Sequence, residues 1–535
     1  MHRTTEYALV QTAEVDVAHE TTVEGIPVAA VFNAPPQLSN EKGSEPYADD
    51  EISTWEKGET QHAAFRDKWF AIAFVTQFVA IATTAIVAPT SSSWAELFSP
   101  SDSDSAAGNN TYGDDDGSQE QAAPGIEFWA FVVGISMLVA PALSLLSMNL
   151  MSKNAIGMIT ASLWFSIILC GLVSVLLLFI APFAGLIYGV FTVCLVCYLK
   201  KVKNRIPYAA SNLKCSISVL KNNLGLGLVA IGSMVVLVGY VLSWASAFMF
   251  TMNLDTMKDS TGDNDNDLSP LGGFVACSFL LSFYWTHEVL RNIVRVTVSG
   301  VVGHWWFVPT EASSFCSTAV RGSAIRASTY SLGSIAFGSL IVAVLHLIRN
   351  TLHNASNDRN AGILRCIAAC ILAYIEALVQ YFNKWAYVYV GLYGYSYVEA
   401  GTKVMDLFKQ RGWNVIIADN LTNRLLGIMS LSIGILTGLC TLFVAFLVDE
   451  FESKQGWLGV GFFVGLVIGI VLSGIFMGLL SSAVDSVIVC FAEAPQELSE
   501  SHPELAHEMH TTWKDAWPDI AGPVIIGLGG GLGVV

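Results

Sequence analysis

The chain has 535 residues, of which 53% are hydrophobic and only 13% charged, with a formal net charge of −17. A soluble protein of this length carries about a quarter charged residues, so the composition excludes an ordinary soluble enzyme, and the acidic balance excludes a nucleic-acid partner. The apolar residues fall in runs of about 20 or more, long enough to cross a ~30 Å hydrocarbon core, which defines an all-α, polytopic integral membrane bundle of about ten transmembrane helices.

Residues 1–68 contain "FNAPPQLSNEKGSEPYADDE", proline-bearing, acidic and poor in apolar residues. This reads as a disordered cytosolic tail, and the opening residues lack the apolar core of a signal peptide. The transmembrane domain is expected over 69–493, with spans at 69–89, 126–148, 156–180, 182–199, 224–250, 272–307, 329–349, one within 363–401, 425–448 and 457–483. Residues 494–535 are read as a cytosolic tail. Lys and Arg in short loops set orientation. The stretch "KKVKNRIPYAASNLKCSISVLKNN" at 200–223 has six basic residues and no acid, and is read as a cytosolic loop. Alternation then puts the acidic loops 90–125 and 251–270 outside and both termini inside, at the plasma membrane with lipid as the surrounding partner. Asn109-Asn110-Thr111 is a glycosylation sequon in an external loop. Most of the ten cysteines fall in spans and neither acidic loop holds one, so no external disulfide framework is expected. The region 363–401 admits one span plus an amphipathic helix, or two short spans.

The segment "FLLSFYWTHEVLRNIVRVTVSGVVGHWWF" carries charge where charge is costly. Residues three or four apart share a helix face, so Tyr284, His287, Glu288, Arg291, Asn292, Arg295 and Ser299 form one polar stripe. Against lipid it would cost a few kcal/mol per central charge at the low estimate. It should face the bundle interior, with Glu288 paired to Arg291 or Arg295. His287-Glu288 lacks the second histidine of a metalloprotease helix, and Asp485 alone cannot make an aspartyl dyad. No catalytic, metal or cofactor site is expected.

In "WAYVYVGLYGYSYVEAGTKVMDLF", Tyr387, Tyr389, Tyr393, Tyr395 and Tyr397 crowd around Gly391 and Gly394, with Glu399 nearby. An aromatic belt at the membrane interface is one reading. The sharper one is an organic-cation site, because aromatic faces attract quaternary ammonium groups and transporter substrates bind where helices are interrupted. On that reading Trp285, Tyr387, Tyr393 and Tyr397 converge on the solute, with Glu288 and Glu399 supplying negative potential. Gly461, Gly465 and Gly469 recur every four residues, as do Gly474 and Gly478, a spacing that lets helices pack closely in lipid.

Three passages resemble the choline transporter-like family, in particular its fungal branch, the pH-nine-sensitive proteins. They are "NIVRVTVSGVVGHWWF", "STYSLGSIAFGSLIVAVLHLIR", and the tyrosine segment with the tail "VDSVIVCFAEAPQELSESHPELAHEM". The resemblance covers roughly residues 69–509 and implies a ten-span plasma-membrane carrier for a small solute, choline or another organic cation, driven by a gradient. A structural or regulatory protein of the cell periphery stays open beside it. Oligomeric state is not legible.

Overall fold

A computed structural model describes residues 64–87, 126–252, 269–354, 362–410, 421–447 and 455–518. The tail up to residue 63, Asn109 and most of both acidic loops lie outside the described residues. The described chain is all α, with no strand among these residues. Its α-helices are α1 Lys68–Val87, α2 Ile126–Lys153, α3 Ala155–Ile180, α4 Pro182–Val202, α5 Ile206–Asn222, α6 Gly225–Met252, α7 Pro270–Phe307, α8 Thr318–Ser328, α9 Leu332–Asn354, α10 Gly362–Tyr393, α11 Tyr397–Gln410, α12 Leu421–Leu447, α13 Gln455–Glu493, α14 Pro495–Ser501 and α15 Pro503–Ala516. All belong to one compact unit, Ser53–Ala516. A second unit is Met1–Ile52 with Trp517–Val535, of which only Trp517 and Pro518 are described.

Local chemistry sets many of the ends. Prolines occupy the first turn of α4, α5, α7, α14 and α15, where their missing N–H is no loss. Asn154, Ser269 and Ser317 cap α3, α7 and α8 through their side chains. Among the described residues nine helices are long and apolar enough to cross a membrane, matching nine of the ten expected spans. The tenth is α7, whose polar stripe makes it less apolar than the others. It is nonetheless the centre of the bundle, packed against α6, α8, α9, α10 and α13. The region 363–401 resolves as one long helix, α10, followed by the amphipathic α11.

Glycine permits two close helix crossings. A Cβ on Gly391 of α10 would sit 2.6 Å from the Val296 carbonyl oxygen and from the Ser299 Cβ of α7. A Cβ on Gly469 of α13 would meet the Thr437 Cβ at 2.7 Å and the Gly434 Cα at 3.0 Å on α12. Gly465 and Gly469 therefore seat α13 on α12, where Ser430 and Ser473 also meet at 2.9 Å, whereas Gly461 faces Phe128 of α2 and Gly478 has nothing within 4 Å.

The stretch 200–223, read as a loop, is helical over Ile206–Asn222. Its basic residues mask an apolar face: Ile206, Leu213, Ile217 and Leu220 are buried. Another side of the same helix receives α15, with Ser211 and Thr512 hydroxyls 2.9 Å apart and Lys214 paired to Glu508 at 2.5 Å. The stretch after Glu493, read as a tail, is thus folded as far as Ala516.

Candidate functional site

The stripe on α7 divides. Glu288, Asn292 and Ser299 are buried and Arg295 is partly exposed, while His287 and Arg291 reach outward. Asn292 Nδ2 donates to Ser339 Oγ at 3.0 Å, and that hydroxyl lies 3.4 Å from the Tyr387 hydroxyl, which donates to the Ile335 carbonyl at 3.2 Å. Nearer the start of α7, Gln77 of α1 donates to Thr286 at 3.0 Å and accepts from Ser282, whose hydroxyl is 2.6 Å from that of Tyr240. Trp285 Nε1 donates to the Ala336 carbonyl at 2.9 Å, with its ring edge-on to Phe74. The interior is polar along α7, and each of these groups has a partner, as low-dielectric burial requires.

Among the described residues three carboxylates are buried in the bundle, and each has at least one basic neighbour. Glu288 lies 3.5 Å from His287 Nδ1 and 3.6 Å from Arg291 Nη1. Glu376 of α10 lies 3.8 Å from His346 Nδ1 and 3.3 Å from Arg349 Nη1, and accepts from Gln380 at 3.1 Å. Asp485 of α13 meets Lys384 Nζ of α10 at 2.8 Å. The Glu288–Arg291 pair is the expected one. Lys384 and Glu376 were not singled out from sequence, although a lone ionisable residue in an apolar span is itself a functional signal.

The tyrosines separate into two groups on opposite sides of α10. Tyr387 and Tyr397 are buried with ring centroids 5.9 Å apart, beside Phe382 and Phe337. Tyr389, Tyr393 and Tyr395 form the second group, with centroids 5.4, 5.9 and 6.4 Å apart. The Tyr389 hydroxyl donates to Glu493 at 3.4 Å. Lys403 Nζ sits 4.3 Å from the Tyr395 ring centre and 3.6 Å from Glu399. α10 ends because Gly394 takes a positive φ of 67°, a conformation that costs glycine nothing. α11 restarts at Tyr397, whose N–H donates to Asp67 Oδ2 at 2.9 Å; the same carboxylate accepts from Ser334 at 2.7 Å. Of the residues expected to converge, Tyr387 and Tyr397 do, Tyr393 stands in the other group with Glu399 near its edge, and Trp285 and Glu288 lie further along α7. Among the described residues no His, Cys, Asp and Glu grouping could hold a metal ion.

At the other end of α7, two of the quoted passages meet. Trp305 stacks on His502 with centroids 4.0 Å apart, and Trp306 Nε1 donates to the Ala494 carbonyl at 2.9 Å. Burial pushes the His502 imidazole below its ordinary value of 6.5. Burial, then the charge of His507, does the same for His510. The docked segment therefore binds fewer protons than the undocked one. The stability of docking from these groups is fully present above about pH 6.5 and is lost as pH falls below it. Proteolysis within 495–516 should accelerate when purified protein is moved from about pH 7.5 to about pH 5.5. Replacing both His502 and His510 with Phe should flatten that response, and an undiminished response in the double variant would refute the assignment.

Residues 186–496 match the family described as "Plasma-membrane choline transporter". That is more than half of the chain, and it includes α7, α10 and α13. The chain is a multi-pass membrane protein, and it belongs to the choline transporter-like family. It is 30% identical over 344 residues to Protein PNS1 of Mycosarcoma maydis, covering 60% of this chain and 62% of that one. It is 28% identical over 338 residues to Protein pns1 of Aspergillus fumigatus, covering 61% and 62%. With Protein PNS1 of Saccharomyces cerevisiae the identity is 25% over 351 residues, covering 62% and 64%. The chain thus matches less than two thirds of the length of these relatives.

Proposed function

We propose that this protein is a gradient-driven carrier of the fungal, pH-nine-sensitive branch, moving a small organic cation such as choline across the plasma membrane. Both termini are cytosolic on this reading, and Asn109 lies outside and carries a glycan. The observation that carries the proposal is the second tyrosine group. Three rings gather at the Gly394 interruption, and an ammonium group, that of Lys403, already rests on one of them. Aromatic faces attract an organic cation by roughly 0.5–2 kcal/mol per contact, which holds it without the tight grip of a full ion pair. Tyr393 with Tyr389 and Tyr395 receives the cation, Glu399 and Glu493 supply negative potential, and Tyr387, Tyr397, Trp285 and Glu288 line the way along α7.

Choline binding normalised to protein amount tests this. Tyr393→Phe should keep binding because the ring remains. Tyr393→Ala should weaken it about tenfold, equivalent to ~1.4 kcal/mol. If the alanine variant binds with unchanged affinity and is merely less abundant in the membrane, Tyr393 is an interface anchor and the cation site is refuted.

A further inference from the structure

Past Glu127 the chain has no Asp or Glu until Asp255, while six basic residues fall within 200–223. Basic residues at the end of a span set its orientation wherever they occur; here their placement adds something more. α4 passes into α5 through one 3-10 turn, Lys203–Arg205, and Val202, Lys203, Arg205 and Ile206 all keep helical backbone angles. A lipid-facing span thus runs on, almost without a break, into the buried helix α5. The turn between them marks the level at which the chain leaves the apolar layer.

Val202 is buried and anchors the turn to the protein. On a helical path Lys200, Lys203 and Asn204 lie on the side away from it, with Lys201 at their flank, and all four are exposed. Lys214, further along the same run, is paired with Glu508. Lys200, Lys201 and Lys203 make no ion pair or hydrogen bond among the described residues. Arg424 of α12, also exposed, holds its guanidinium 5.4 Å from the ring centre of Tyr198, two residues before Lys200. Of the nine apolar helices α4 belongs to the least enclosed, with Phe183, Ile187 and Phe191 exposed. Lipid therefore surrounds it, and the counter-charge nearest its three lysines is that of lipid headgroups.

We propose, on the reading that this end of α4 faces the cytosol, that Lys200, Lys201 and Lys203, flanked by Arg424, form a docking surface for an anionic phospholipid with a phosphorylated, multiply charged headgroup. Basic clusters just cytosolic of a span attract the anionic lipids of that leaflet, and lysine ammonium groups take phosphate as point charges. A headgroup with one negative charge leaves most of the three-lysine charge uncompensated, whereas a phosphorylated inositol lipid balances it. The surface is independent of the cation reading and is tested without transport.

The test is the thermal midpoint of the purified full chain in phosphatidylcholine nanodiscs containing increasing fractions of a bisphosphorylated phosphatidylinositol. Both leaflets of a nanodisc carry the lipid, so the result does not depend on how the chain is oriented in the cell. The midpoint should rise saturably. The combined change Lys200→Gln, Lys201→Gln and Lys203→Gln should leave the lipid-free midpoint in place, because these side chains are exposed, and raise the half-saturating fraction at least about tenfold. A charge-matched variant, Arg321→Gln, Lys409→Gln and Lys514→Gln, alters exposed basic residues elsewhere and should respond like the unaltered protein. No saturable rise, or an equal loss in both variants, overturns the proposal. So does the same half-saturation with phosphatidylserine, or an equal rise from soluble inositol trisphosphate in place of the lipid.

Discussion

Asp485→Asn should be among the most damaging single substitutions in the bundle. It leaves Lys384, only 16% exposed, without its carboxylate, and stranding one partner of a buried pair costs about 3–5 kcal/mol. Glu288→Gln removes an acid just as buried, yet the Arg291 side chain it strands is 62% exposed and can be solvated. Its cost should be on the order of 1 kcal/mol or less. Adding Lys384→Met to Asp485→Asn restores the original net charge of the pair and should recover folding. Monodisperse yield on size exclusion and the thermal midpoint read all three. A single Asp485→Asn variant as stable as the unaltered protein would mean that this pair is solvated.

Gly391→Ala should be nearly as severe, through sterics. Its methyl group would lie 2.6 Å from a backbone oxygen and a Cβ of α7, so one of two helices must move. Overpacking of this kind costs about 1–3 kcal/mol. It also parts α7 from α10, the helices that carry Arg295 and Lys384. Gly427→Ala is the control, since nothing lies within 4 Å of the added Cβ. There the change should be neutral or slightly stabilising through helix propensity. Equal effects at both positions would contradict the close crossing.

The spans were legible because a bilayer imposes a length on apolar runs, and the central role of α7 was legible because charge in a span must be turned inward. The helix Ile206–Asn222 was hidden by its own basic residues, which drew the reading toward a loop although its apolar residues keep helical spacing. Within α10 the helical period itself separates Tyr387 from the pair Tyr389 and Tyr393, four residues apart on one face. Crowding in sequence was read as convergence in space. The Lys384–Asp485 pair spans two helices distant in sequence, and nothing local to either residue names its partner. The same holds for Trp305 on His502, where two separate passages meet only in the fold.

Uptake of labelled choline into liposomes containing the purified full chain measures transport directly. Uptake should be saturable, should exceed that of protein-free liposomes, and should fall with Tyr393→Ala far more than with Tyr393→Phe. Uptake no faster than in protein-free liposomes, from protein that is folded and monodisperse, would contradict the carrier reading and leave a packed bundle with a structural role.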